Sequence, residues 1–198
     1  MANVIGGITM SIDGYITGPH DGPGNGLGDN GERLHYWVFG GPWSYGDTPR
    51  GDPQGDEGGW LADLQSRLGA VVCGRGTYEA AGHWGERSPW NIPFFIVTHR
   101  PEEEPPGGPF TFVSGVEPAV ERALQAAEGR DVHVMGGADT IRQALAAGIL
   151  DELTIIVAPV IMGAGKPLFE GFSQSLDLQQ LRVRQSRFAT FLDYQVKR

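Results

Sequence analysis

The stretch "DVHVMGGADTIRQALAAG", residues 131–148, decides how the rest of the chain is read. Val132, Val134 and Met135 read as a buried strand, and Ile141, Leu145 and Ile149 repeat at helical spacing. Asp139 and Thr140 suit a first helical turn, and Gly148 stands where a C-terminal cap belongs. Gly136 and Gly137 therefore mark a turn that passes from strand to helix at once. Glycine there accepts tight dihedrals and lets another molecule approach the backbone. The free N–H groups of the following helix favour an anion, by about 0.3–1 kcal/mol from the helix dipole alone.

Outward from this unit the same alternation continues. The pattern predicts strands over 4–10, 70–73, 94–98, 111–113, 132–135, 153–161 and 188–196, and helices over 60–68, 77–83, 118–127 and 139–147. Strands alternating with helices predict a three-layer α/β sandwich around a mixed, mostly parallel central sheet. The segment "FATFLDYQV" (188–196) alternates apolar and polar residues and follows another strand with no clear helix between. It predicts an antiparallel strand or hairpin at the C-terminus. A length of 198 residues fits one domain, spanning 1–198, with no internal repeat.

Composition excludes several function classes. Fifteen Lys and Arg stand against 24 Asp and Glu, a formal charge of −9, which argues against nucleic-acid binding through clustered cations. Cys73 is the only cysteine, so no internal disulfide forms and a reducing compartment is expected. The N-terminus shows no secretory pattern and no stretch nears the ~20 apolar residues of a membrane helix. The expectation is a soluble, cytoplasmic protein. His20, His35, His83, His99 and His133 show no metal-ligand spacing, so no metal is expected. Neither a Walker P-loop, a GxGxxG fingerprint, a GxSxG elbow nor a deaminase signature is present. His133, inside a strand, reads as a packed residue rather than a catalytic one.

One segment breaks the alternation. Residues 18–59 are rich in Gly, Pro and Asp, yet hold Tyr36, Trp37, Phe39, Trp43 and Tyr45. A long loop in a compact domain is commonly a lid, and disorder is poor in aromatics. The rings predict a loop that packs down, with a short helix at 34–39. It covers either a ligand or simply its own core.

Three further strand ends resemble the opening one. "AVVCGRGTYEAAG" (70–82) runs into Gly74, Arg75, Gly76 and Thr77 and then a helix. Arg75 offers a planar fork of donors suited to phosphate, and Thr77 a hydroxyl at the helix start. Equally, Thr77 is an ordinary cap and Arg75 a partner for Glu79 one turn on. "PFFIVTHR" (93–100) ends in Thr98, His99 and Arg100, a polar cluster or merely a strand emerging before Pro101. "GGITMSIDGYITG" (6–18) enters Ser11, Asp13 and Gly14, where Asp-Gly is also a common turn pair. Ligands of open α/β sheets sit at C-terminal strand ends, so the four segments are expected to converge. Two arginines, a threonine and two helix starts suit a ligand with several phosphates.

In this order the segments "ITMSIDGYI", "VVCGRGTYE", "FFIVTHRP", "VHVMGGADTIRQAL" and "ELTIIVAPVIMGAGKPLFEG" resemble the dihydrofolate reductase superfamily. They are most similar to its bacterial branch related to the reductase domain of the riboflavin-pathway deaminase-reductase. The resemblance covers nearly the whole chain except the peculiar 18–59 insertion. It implies a dihydrofolate-reductase-like sheet, NADPH as cofactor, a homodimer, and hydride transfer to an unsaturated nitrogen heterocycle, an aminopyrimidine of the riboflavin type or a pterin. It implies that Gly74, Arg75 and Thr77 contact cofactor phosphates and that Thr98, His99 and Arg100 lie beside the adenosine 2′-phosphate. Met135, Gly136, Gly137, Ala138 and Thr140 would flank the pyrophosphate and nicotinamide, and Thr9, Ser11, Asp13 and Gly14 the nicotinamide and substrate. The element "PVIMGAGKPLFEG" (159–171) is expected to set turn geometry, with Lys166 as its substrate-reaching alternative.

Reduction of a C=N bond also needs a proton at nitrogen. The resemblance puts a carboxylate on the helix after the lid, where Asp56, Glu57 and Asp63 are alternatives. Asp63 equally suits a pair with Arg67, and Asp56 and Glu57 a helix N-terminus. Trp37, Trp43 and Trp60 are candidate stacking surfaces for a flat substrate. The competing expectation is a protein that binds or senses NADP(H) without catalysis.

Overall fold

A computed structural model describes residues 2–45, 56–85 and 87–197. Its frame is an eight-stranded sheet. In chain order it runs β1 (Val4–Ser11), the short β2 (Tyr15–Thr17), α1 (Asp56–Arg67), β3 (Leu68–Gly74), α2 (Arg75–Ala80), β4 (Phe94–Val97) and β5 (Phe110–Val113). Then follow α3 (Val116–Ala126), β6 (Asp131–Val134), α4 (Ala138–Ala146), β7 (Glu152–Ala158), β8 (Lys166–Pro167), β9 (Leu178–Gln185) and β10 (Thr190–Val196).

The strand order is β5-β4-β3-β6-β1-β7-β10-β9. Six neighbouring strands, β5 through β7, pair in parallel, and β10 runs antiparallel to both β7 and β9. The chain travels outward through β3, β4 and β5, then returns through α3 to insert β6 between β3 and β1. The predicted mixed, mostly parallel sheet is what the chain forms.

Strand alternation sorts the core into two layers. On one face Val4, Ile8, Ala70, Val72, Val132, Val134, Leu153 and Ile155 meet Ala119, Val120 and Ala123 of α3 and Ile141, Ala144 and Leu145 of α4. On the other, Ile5, Val71, Cys73, Phe94, Ile96, Ile156 and Phe191 meet Trp60 and Leu64 of α1. His133 sits on this second face, buried, with Nδ1 3.1 Å from the Ile5 carbonyl. Burial pulls its pKa down to about 4, so the ring is neutral and packed at pH 7.

Several boundaries differ from the expectation. The sequence pattern omits β9, because "LQQLRVRQ" is polar and this edge strand is exposed along most of its length. The last strand starts at Thr190 rather than at residue 188, since the Ser186 N–H donates to the Ala189 carbonyl at 2.9 Å and closes the hairpin turn. Pro159 follows the end of β7 at Ala158, short of the expected 161. In place of a helix at 34–39 there is a 3-10 turn at Gly31–His35.

Two apolar side chains of the insertion, Leu34 and Trp37, belong to the core. Leu34 is fully buried, and Trp37 packs edge-on against Trp60 and Phe191 at centroid distances of 5.5 and 5.3 Å. Phe191→Ala removes the ring that both indoles share. It is expected to lower unfolding free energy by about 3–5 kcal/mol, whereas Val183→Ala on the exposed β9 changes it by less than about 0.5 kcal/mol. Urea melts of the two variants check this.

Candidate functional site

The C-terminal ends of β4, β3, β6 and β1 lie side by side, because these strands are consecutive and parallel in the sheet. All four segments singled out in the sequence therefore open on one edge. Beyond the paired residues, the Gly74 N–H donates to the Gly136 carbonyl at 2.7 Å and ties two of the turns together. Gly136 has φ of +111°, a region closed to residues with a Cβ, and the peptide joining it to Gly137 is cis. Thr140 is buried behind Gly74: its Oγ1 lies 2.7 Å from where a Cβ on Gly74 would stand. Ala138 is buried and Met135 half-buried beside them. Space at Gly76 is open, and the Thr77 hydroxyl lies 3.5 Å from the Cβ position of Gly137.

Both arginines reach this edge. Arg75 donates through Nε to Glu79 at 2.7 Å and through Nη2 to Glu103 at 2.6 Å, with its guanidinium 5.7 Å from the Phe112 ring centre. Its Nη1 is buried without a hydrogen-bond partner among the described residues. Arg100 donates through Nη1 to the other oxygen of Glu103 at 2.9 Å. The pair Arg75–Glu79 at one-turn spacing thus forms, but Glu103, which sequence reasoning missed, bridges the two arginines. Thr98 is buried and its Oγ1 accepts from the Arg100 N–H at 3.1 Å, while His99 is exposed.

The β1 end is built differently. Ser11 is fully buried; its Oγ donates to Asp13 at 2.6 Å and accepts from the Tyr15 N–H at 3.0 Å. Asp13 also accepts from the Met162 N–H at 3.0 Å and the Gly163 N–H at 2.7 Å. The Ser11 hydroxyl, with those amides, lowers its pKa to about 2. Gly14 accepts from the Leu168 N–H at 2.9 Å, and Lys166 pairs with Asp21 of the insertion. Arg33 donates to the Met162 sulfur at 3.5 Å. At Gly165 a Cβ would fall 1.8 Å from the Thr17 carbonyl oxygen, so only glycine lets the strands meet. The loop 159–171 is a clasp between β1 and the insertion, in line with its expected structural role. Thr9, expected to line the nicotinamide, is buried, and its hydroxyl accepts from the Trp37 indole N–H at 3.2 Å.

Three expectations are corrected. Trp37 and Trp60 are 5% and 6% exposed, so they are core rings rather than stacking surfaces. Trp43 is half-buried, edge-on to Phe39 and Tyr45 within the insertion. Asp63 pairs with Arg184 at 3.0 Å and Arg182 at 3.6 Å on β9, three strands beyond β1, and not with Arg67. At about 4.8 Å per strand that places its partners roughly 14 Å from the β1 row. Arg67 instead binds Asp131 and Glu152. Asp56 and Glu57 open α1, and their side chains lie outside the described residues. A cleft of about 420 Å³ exists at the opposite end of the sheet, lined by Asn3, Asp151, Glu152 and Lys197 among others. It lies far from the four strand ends, and its lining includes none of the groups described at them. Among the described residues no His, Cys, Asp and Glu cluster could hold a metal, and no helix is long and apolar enough to cross a membrane.

A mixed, mostly parallel eight-stranded sheet with glycines, hydroxyls and paired arginines at its strand ends is the frame of a dihydrofolate-reductase-like domain. The chain belongs to the family described as the RibD C-terminal domain, which it matches over residues 2–190. Uncharacterized protein YwjB of Bacillus subtilis (strain 168) is 26% identical over 142 residues, covering 71% of this chain and 80% of that one. A putative riboflavin biosynthesis protein from Shewanella sp. PV-4 shares the fold with TM-score 0.72 at 24% identity, over 99% of each chain. A deaminase/5-amino-6-(5-phosphoribosylamino)uracil reductase of Thermotoga maritima matches with TM-score 0.63 at 15% identity, over 99% of this chain and 57% of its own.

The Asp13 clasp has a pH signature. Its carboxyl titrates at about 2 in the fold against an ordinary 3.8. A depressed carboxylate contributes stability that is complete above the unfolded value and lost as pH falls through the folded one. The Met162 and Gly163 amide resonances are therefore expected to titrate with a midpoint near 2 and to stay unchanged from pH 4 upward. Asp13→Asn removes that titration, as proton-detected NMR can read.

Proposed function

We propose that this chain is an NADPH-dependent reductase of a small nitrogen heterocycle, most plainly an aminopyrimidine of the riboflavin-pathway kind or a pterin. The observation that carries the reading is the convergence of four strand ends, with two guanidiniums and bare glycine backbone, on one sheet edge. Family membership supports the reductase class.

The residues present fit such a cofactor. The buried Arg75 Nη1 has no acceptor among the described residues, and a phosphate oxygen is an acceptor. Arg75, Thr77 and Gly76 would hold phosphate, Arg100 and Thr98 the adenosine end, and Gly136 and Gly137 would let the dinucleotide lie against the main chain. When bound, the reduced nicotinamide supplies the reducing equivalent. Ser11 and Gly14 would then shape the substrate side, braced by the loop 159–171.

A second reading, binding of NADP(H) without turnover, draws on one observation. Among the described carboxylates near this edge, Asp13 is held ionised by three donors, which disqualifies it as a proton donor. An ordered water or the Asp56–Glu57 pair must serve if reduction occurs. Loss of nicotinamide absorbance with pterin and aminopyrimidine substrates separates the readings. Tight binding without oxidation of NADPH by any of them would favour the second.

The cofactor itself is tested by Arg75→Ala and Arg100→Ala. Each is expected to weaken NADPH by about tenfold or more while changing NADH less. Calorimetric titration measures both, and equal losses for the two cofactors would remove the 2′-phosphate assignment. The same reading includes a homodimer, which light scattering would reveal as twice the chain mass.

A further inference from the structure

Among the described residues, Glu103 is the carboxylate that bridges the two arginines at this edge. Its two oxygens are divided between two guanidiniums: Oε2 takes Arg75 Nη2 at 2.6 Å and Oε1 takes Arg100 Nη1 at 2.9 Å. A carboxylate spanning two arginines has the charge and acceptor geometry of a small bound anion. The arginines lower the carboxyl pKa, Arg75 foremost, so Glu103 is anionic at neutral pH.

The loop that carries it is held in place. Arg100 N–H donates to Thr98 Oγ1 at 3.1 Å on one side, and Glu104 accepts from the Phe112 N–H at 2.6 Å on the other. Pro101, Pro105 and Pro106 restrict the backbone between. Only the Glu103 side chain, itself 39% exposed, needs to swing for the pair to be released. Glu79 stays on Arg75 Nε and fixes the guanidinium while its remaining nitrogens change partner.

Charge sets the consequence. Arg75 and Arg100 with Glu79 and Glu103 sum to zero, so the clamp is neutral as it stands. A phosphate monoester approaching it meets an anion already seated between the donors, and like charges cannot share that place.

Resting on the reductase reading above, we infer that Glu103 is an internal stand-in for the cofactor's 2′-phosphate. It occupies the twin-arginine clamp and sets how strongly this chain discriminates 2′-phosphorylated from unphosphorylated dinucleotides. Binding of the phosphorylated form requires displacement of Glu103; binding of the unphosphorylated form does not.

The test compares adenosine 2′,5′-bisphosphate with adenosine 5′-monophosphate, which differ only in the 2′-phosphate, by calorimetric titration. Glu103→Gln is expected to tighten the bisphosphate roughly five- to twentyfold and to leave the monophosphate within about twofold. Glu102→Gln removes the same formal charge one residue away and is expected to change neither. Adding Arg100→Ala to Glu103→Gln is expected to cancel the gain. The positions are exposed, and a thermal melt confirms that each variant is folded.

No gain in Glu103→Gln, a loss, an equal gain for both nucleotides, or the same gain in Glu102→Gln would overturn the inference. A loss would mean that Glu103 merely orients the arginines. Those results leave the reductase reading standing if NADPH still binds. Failure of both nucleotides and of NADPH to bind either the wild-type chain or Glu103→Gln would remove the reading and the inference together.

Discussion

The hydrogen bond from the Gly74 N–H to the Gly136 carbonyl, 2.7 Å long, lies two residues past the last paired residues of β3 and β6, Val72 and Val134. Sheet pairing ordinarily ends where strands turn away, and the turns then go separate ways. Here the ladder continues into the turns themselves, through the Met135 N–H to the Val72 carbonyl at 2.9 Å and then the Gly74 bond. Only residues without side chains permit that last bond, since Thr140 already fills the space a Cβ on Gly74 would need. The helices α2 and α4 both begin within a residue or two of that bond, so their starts are fixed relative to one another. The placing of Thr77 opposite Gly137 follows from it.

What could be read from the sequence was what local chemistry dictates. Val132, Val134 and the glycine pair specify a strand and turn by periodicity and dihedral freedom alone, and the structure puts them where that logic requires. The ordering of strands within the sheet brought the four ends together, and fold resemblance supplied it. β9 escaped notice because Arg182 and Arg184 interrupt its apolar positions; its pairing depends on β10, not on a buried face. Trp37 and Trp60 were misplaced for the opposite reason. A glycine-rich context reads as surface, yet their large apolar rings gain by burial against Phe191, and distant packing overrode composition. Glu103 was invisible, because its partner Arg75 is 28 positions away in the chain and three adjacent glutamates give no sign of which one turns inward.

The two ends of the site are held by different physics. At β3, β6 and β4 the frame is main chain and guanidinium, with little apolar cover. At β1 the frame is a carboxylate, Asp13, that gathers the hydroxyl of Ser11 and two amides, Met162 and Gly163, from a loop about 150 residues later. That arrangement leaves Asp13 stably charged and uses it structurally. Because Lys166 of the same loop pairs with Asp21 and Arg33 meets Met162, movement of the insertion is coupled to the backbone beside β1. The insertion is thus anchored twice, by its rings in the core and by the loop at the edge.

The proposed hold on phosphates by an acidic protein needs a physical account. The formal charge of −9 is spread over the surface, and at physiological salt a charge more than about 8 Å away is largely screened. What a phosphate meets is the local set, two guanidiniums with Glu79 and Glu103, whose charges cancel. A neutral clamp neither repels nor strongly draws an anion from a distance, so long-range steering contributes little. Recognition then depends on short-range exchange, one acceptor for another on the same donors, together with the buried Arg75 Nη1 that the internal carboxylate leaves unmatched. That unmatched donor separates a phosphate from a carboxylate here. A carboxylate offers two oxygens, both already committed to Nη2 of Arg75 and Nη1 of Arg100, while a phosphate monoester offers a third.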